Sequence, residues 1–138
     1  MGKRPLTLDD VPASMLAEYG LSPRTLSATS FRCDEPTAVL LPLDDLILNA
    51  SRRLHEPSVR WLLGEIRDNR PIDAVPIFRE PGMARATLFD GMHRWRVSRA
   101  LGLPLIPCLY LSRFEAESGY GYAGQFDQAT GQWRQSKW

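Results

Sequence analysis

At 138 residues, with 43% hydrophobic and 24% charged positions, the chain has the make-up of one globular domain able to bury a core without staples. A formal net charge of +1 excludes recruitment to nucleic acid by bulk electrostatics, and no run approaches the ~20 apolar residues of a membrane span. Met1-Gly2-Lys3-Arg4-Pro5 has no apolar stretch behind it, and Leu6 stands where a myristoylation pattern needs Ser or Thr, so a cytoplasmic protein is expected. Cys33 and Cys108 lie far apart and, with two histidines, offer no zinc spacing; both are expected as free thiols. Lys3 and Lys137 are the only lysines, so arginine serves every internal position and no single arginine stands out by type.

Asp9-Asp10-Val11-Pro12 followed by Ala13 to Tyr19 and Gly20 predicts a short helix, and Ser22 to Pro36 an irregular connection packed on the body. Ala38 to Leu43 is an apolar run whose Pro42 marks an edge strand. Asp44 to Leu48 is expected as a turn or short helix, and Asn49 to His55 as a polar loop. Glu56-Pro57 opens the clearest helix: proline suits a first turn, Val59, Leu62, Leu63 and Ile66 form one apolar face, and Asn69 with Pro71 stops it. Ala74 to Arg79 and Ala86 to Phe89 are strands around a turn at Glu80 to Met83. A run of helical character, Val97 to Leu101, is closed by Gly102, with Arg96 and Arg99 expected on a solvated face and Trp95 as a packing residue. Leu105 to Leu111 is a strand holding Cys108 as a small core residue. Ser112-Arg113-Phe114-Glu115 has capping-box form, and 125–134 reads as a hairpin turning at Gly131. The order of elements predicts a compact α/β domain with a mixed sheet and packed helices. Residues 1–36 form an N-terminal extension, 37–112 the core and 113–138 a C-terminal extension.

Between the strand at Ala86 and the following helix stands Asp90-Gly91-Met92-His93-Arg94. A strand entering a helix through an acidic-glycine turn aims backbone N–H groups, an imidazole and a guanidinium at one point, the arrangement of an anion site.

The segment from about Leu40 to Leu111 resembles the ParB/sulfiredoxin superfamily. The ordered features are Pro42-Leu43-Asp44-Asp45-Leu46, a polar Asn49…Arg52-Arg53 loop, the helix Pro57–Asn69, Pro71 to Ile77, the Asp90–Arg94 loop, and Leu101-Gly102 before Ile106-Pro107. The resemblance implies a nucleotide-phosphate loop. Sulfiredoxins carry cysteine where Met92 stands, and a thioether cannot form the thiolate needed for sulfinic-acid reduction. ParB proteins carry glutamate there, supporting CTP hydrolysis, and Met92 replaces that too. ParB-like free-serine kinases carry Asp-Gly-His-His-Arg, matched here at Asp90, Gly91, His93 and Arg94.

On that resemblance, Gly91, Met92 and the first helical N–H groups receive a phosphate of ATP, ADP or CTP, while Arg94 neutralises it and His93 donates to it. Asp90 takes a substrate proton or holds Mg²⁺. Arg52 or Arg53 meets a second phosphate, and Glu56 is a further carboxylate. The plainer alternatives are Asp90 capping its own turn, His93 as a hydrogen-bonded packing residue and Arg94 in a surface ion pair. Three functions follow: a nucleotide-dependent phosphotransferase or hydrolase with a small-molecule acceptor; a ParB-like DNA-associated module or nonspecific nuclease; and a non-catalytic interaction protein. Sequence-specific DNA binding is not expected, because 112–138 is too short for a helix-turn-helix region.

Overall fold

Five strands form one mixed sheet in the computed structural model, which describes residues 7–23, 26–48, 53–118, 126–127 and 132–133. The chain runs through β1 (Thr7–Leu8), α1 (Ala13–Glu18), β2 (Val39–Pro42), a 3-10 turn at Leu43–Asp45, β3 (Leu46–Ile47), β4 (Leu54–His55), α2 (Glu56–Arg67), β5 (Val75–Phe78), β6 (Ala86–Leu88), α3 (Met92–Ala100), β7 (Leu105–Tyr110), α4 (Arg113–Ser118), β8 (Phe126–Asp127) and β9 (Gln132–Trp133). The main sheet has the order β2-β7-β5-β6-β3. Its β5/β7 and β3/β6 pairs are parallel, whereas β2/β7 and β5/β6 are antiparallel. The result is a mixed α/β single domain.

The strongest sequence signals produce the expected elements. Helix α2 starts with Pro57 in its first turn and buries Val59, Leu62, Leu63 and Ile66. After its last residue, Arg67, the chain turns off at Asn69, whose φ of 53° is left-handed, with the Arg70 amide donating back to the Glu65 carbonyl. β2 is an edge strand, which is why Pro42, with no N–H to give, is tolerated there. Ser112 and Glu115 cap α4 reciprocally: each side chain accepts the other's amide, at 3.0 and 2.9 Å. β8 and β9 pair antiparallel.

Three expectations need correction. Leu46 and Ile47 are not part of a turn or helix but form β3, parallel to β6; a partner about forty positions away gives them the ladder. Leu54 and His55 are not loop but pair as β4 with β1. Arg96 is not solvated: it is 6% exposed, its Nη1 donating to the Asp9 carbonyl at 2.9 Å. Helix α3 also begins at Met92, five residues before the run that marked it, and every residue from Met92 to Ser98 is buried. It threads between the sheet, α2 and the N-terminal segment, so its polar residues must find partners inside. Trp95 does so by donating its indole N–H to the Leu43 carbonyl at 3.0 Å.

Cys108 lies fully buried between β2 and β5. Burial pushes its thiol up from the ordinary 9.0 to about 12, with the Arg94 charge pulling the other way. The sign of the consequence is fixed. Between pH 9 and about 12 the unfolded thiol has ionised while the folded one has not, so the folded state binds more protons and loses stability as pH rises. Below pH 9 this contribution is fully present. Cys108 is therefore expected to escape a thiol reagent at pH 8 in the native protein and to react after denaturation; mass spectrometry of the labelled peptides reads this directly.

Candidate functional site

The turn between β6 and α3 is locked by Gly91. Its φ of +121° is one that side chains rarely adopt, and it approaches β5 so closely that a Cβ would lie 2.5 Å from Val75 Cγ1. No side chain caps α3 there, and the first helical bond runs from the Trp95 amide to the Gly91 carbonyl at 2.9 Å. The N-terminal end of a buried helix is thereby set against the start of β5, and its partial positive charge favours an anion.

Arg94, one turn in, points away from solvent. It is 2% exposed, and its Nη1 donates to the carbonyls of Asp73 at 2.8 Å and Ala74 at 3.1 Å, while Nη2 lies 3.8 Å from Asp90 Oδ2. Burial lowers its pKa below the ordinary arginine value, and Asp90, Asp73, Glu35 and Cys33 oppose that, in this order. The guanidinium thus bridges the entry of β5 to the first turn of α3, in a largely acidic setting. Asp90 is nearly buried beside it. Met92 is buried and belongs to the core, so its contribution to an anion site is its backbone.

His93 is 6% exposed, and its Nε2 accepts the backbone N–H of His55 at 2.8 Å. That bond brings β4 and the start of α2 to the start of α3. Glu56, the first residue of α2, follows directly, and its Oε2 accepts from Arg60 Nε at 3.0 Å. The His55 ring turns the other way, with Nδ1 2.8 Å from Ser58 Oγ. Arg53 flanks β4, half-exposed, and donates to Thr7 Oγ1 at 3.0 Å and Asp9 Oδ1 at 2.7 Å. Arg52 lies outside the described residues.

The structure therefore gathers Asp90, Gly91, Met92, His93 and Arg94 in one turn and ties it, through the His55 amide on His93, to the residue before Glu56; the Glu56 carboxylate itself pairs with Arg60, and Arg53 with Thr7 and Asp9. Sequence reasoning missed Asp73 and Glu35, which surround Arg94, and Asp9 and Asp10, which hold Arg53, Arg96 and Arg99. Asp73 could have been noticed inside Pro71 to Ile77; Glu35 carries no signal at all. Among the described residues no group of three or more His, Cys, Asp or Glu could hold a metal, and no helix is long and apolar enough to cross a membrane.

No protein-family profile matches the chain. An ATP-dependent L-serine kinase of Desulfurococcus mucosus is 30% identical over 80 residues, which are 57% of this chain and 31% of that protein. A conserved hypothetical protein from Pyrococcus furiosus superimposes with a TM-score of 0.50 at 19% identity, over 60% of this chain and 35% of the other. A mutant free serine kinase in complex with ADP gives 0.49 at 19% identity over 61% and 35%, and sulfiredoxin from Arabidopsis thaliana 0.49 at 25% over 62% and 97%. The chain spans about a third of the length of the serine kinase it matches. Over 80 residues the chain is thus similar in sequence to a serine kinase, and over 60% of its length it shares the fold of the Pyrococcus furiosus protein.

Proposed function

We propose that the Gly91 turn is a nucleotide-phosphate site and that the chain is the nucleotide-binding part of an ATP- or ADP-dependent phosphotransferase with a small hydroxyl acceptor. The glycine-capped start of α3 carries the reading: at a φ of +121° Gly91 is pressed against Val75 and no side chain caps the first turn of the helix, whose amides are the donors an anion would take. The serine kinase that shares 30% identity over 80 residues supports the choice of adenine nucleotide and acceptor.

In this reading the amides following Gly91 receive phosphate oxygens. Asp90, beside them, would hold Mg²⁺, which supplies neutralisation of phosphate charge. Glu56 approaches from the other helix and takes the proton of the acceptor hydroxyl as its oxygen bonds to the transferred phosphorus and the nucleotide leaves. Arg94 contributes by holding the turn, since both its Nη1 bonds go to carbonyls.

Isothermal titration with ATP, ADP and CTP, each with and without Mg²⁺, tests the site. ATP or ADP is expected to bind more tightly with the metal. Asp90→Asn should remove most of the metal dependence and lower transfer to L-serine by about 100-fold or more. Failure of the folded protein to bind any of the three nucleotides overturns the reading.

A further inference from the structure

We infer that His93 is a positioning residue: its unprotonated Nε2 accepts the His55 amide and so fixes Glu56, at the start of α2, relative to the Gly91 turn. The motif alone presents this imidazole as a phosphate contact, but the fold uses it differently. Nε2 lies 2.8 Å from the His55 nitrogen, and a backbone N–H can only donate. The ring nitrogen must therefore offer its lone pair, which places the ring proton on Nδ1 and leaves the ring neutral. A cationic imidazolium could not make this bond.

The placement gives the bond leverage. His55 is the last residue of β4 and the residue preceding α2, and no side chain caps that helix. Its neighbour Glu56 is the carboxylate to which the proposed function gives the acceptor proton. His93 is the second residue of α3, next but one to Gly91. One hydrogen bond thus joins the starts of two helices that also pack against each other along their length. The acceptor ring is 6% exposed, while His55 as a residue is exposed and the bond itself is partly buried, so loss of the acceptor would take from the His55 amide the partner that ties it to α3. A residue that sets the separation of a base from a bound phosphate acts on rate far more than on affinity, because small misplacements are felt at the reacting atoms.

The latch stands by itself; its effect on rate rests on the nucleotide-site reading, and the two are separable. In the unliganded ¹⁵N-labelled protein, a nitrogen–nitrogen coupling across the hydrogen bond is expected between the His55 amide and His93 Nε2, with the proton on Nδ1. A protonated Nε2 without that coupling overturns the latch, whatever the protein binds. His93→Phe keeps the ring shape without an acceptor, and His93→Gln restores a carbonyl acceptor. His93→Phe is expected to speed amide exchange at His55 to Val59, to lower transfer from ATP to L-serine by about tenfold or more, and to leave the ADP Kd within about threefold. His93→Gln should recover both exchange protection and rate. Lost ADP affinity in His93→Phe that His93→Gln does not restore would make the imidazole a phosphate ligand and overturn the inference. Wild-type protein that shows the coupling but binds no ADP would overturn the nucleotide reading and leave the latch intact.

Discussion

Gly91→Ala is expected to destabilise the protein by about 2–5 kcal/mol and to weaken ADP binding by about tenfold or more. Two costs combine. The added methyl must adopt a φ of +121°, and it meets Val75 Cγ1 at 2.5 Å and Val75 Cβ at 3.0 Å. Backbone strain of this kind and overpacking each cost on the order of 1–3 kcal/mol. Val75 cannot retreat, because it is fully buried and paired to Cys108 on β7. A double-mutant cycle with Val75→Ala separates the costs: removing Cγ1 relieves the collision and leaves the dihedral strain. Urea unfolding of the four proteins should show a coupling of about 1–2 kcal/mol in the favourable direction. A Gly91→Ala protein within about 1 kcal/mol of the parent would show that the turn is not rigidly held.

The second large effect is expected at Arg94, and its character matters more than its size. Arg94→Met removes the bridge to the Asp73 and Ala74 carbonyls and leaves Asp90 without the guanidinium 3.8 Å away. Breaking a buried ion pair from one side costs about 3–5 kcal/mol, because the remaining charge and carbonyls stay buried. Arg94→Lys keeps the charge but not the planar fork in which Nη1 serves the two carbonyls while Nη2 faces Asp90, so it should recover only part of the loss. Chemical denaturation without nucleotide reads this effect alone. Unchanged stability together with lost ADP affinity would assign the guanidinium to the ligand instead of the fold.

The contrast between α2 and β3 shows which parts of the fold could be read from sequence. Helix α2 was legible because its signals are local: a first-turn proline, four apolar residues at helical spacing and a polar stop. Strand β3 has two residues, and its reason for being a strand lies in Ala86 and Thr87. The core role of Cys108 was legible from the apolar run around it. The burial of Arg96 was not, since its partner is a carbonyl 87 positions earlier. The site divides the same way. Asp90 to Arg94 stood out as a motif, and Gly91's demand for a left-handed φ is a property of its residue type. What the polar side chains of that motif touch could not be read, because their partners are main-chain groups: Asp73 and Ala74 carbonyls for Arg94, the His55 amide for His93. Every residue offers those groups, so no letter in the sequence marks them.

The short strand β1 has a consequence for how the molecule avoids its own copies. β4 sits directly before Glu56, and without Thr7 and Leu8 alongside it would offer unpaired main-chain donors and acceptors to any extended chain. A two-residue ladder is a light cover. Its hold is reinforced by Arg53 on Thr7 and Asp9, Arg96 on the Asp9 carbonyl, and Arg99 on Asp10 at 2.8 Å. Arginines from both sides of the site thus keep the first described residues over an edge that would otherwise be adhesive. The N-terminal segment thus covers a strand edge at the place where the chain gathers its charged groups.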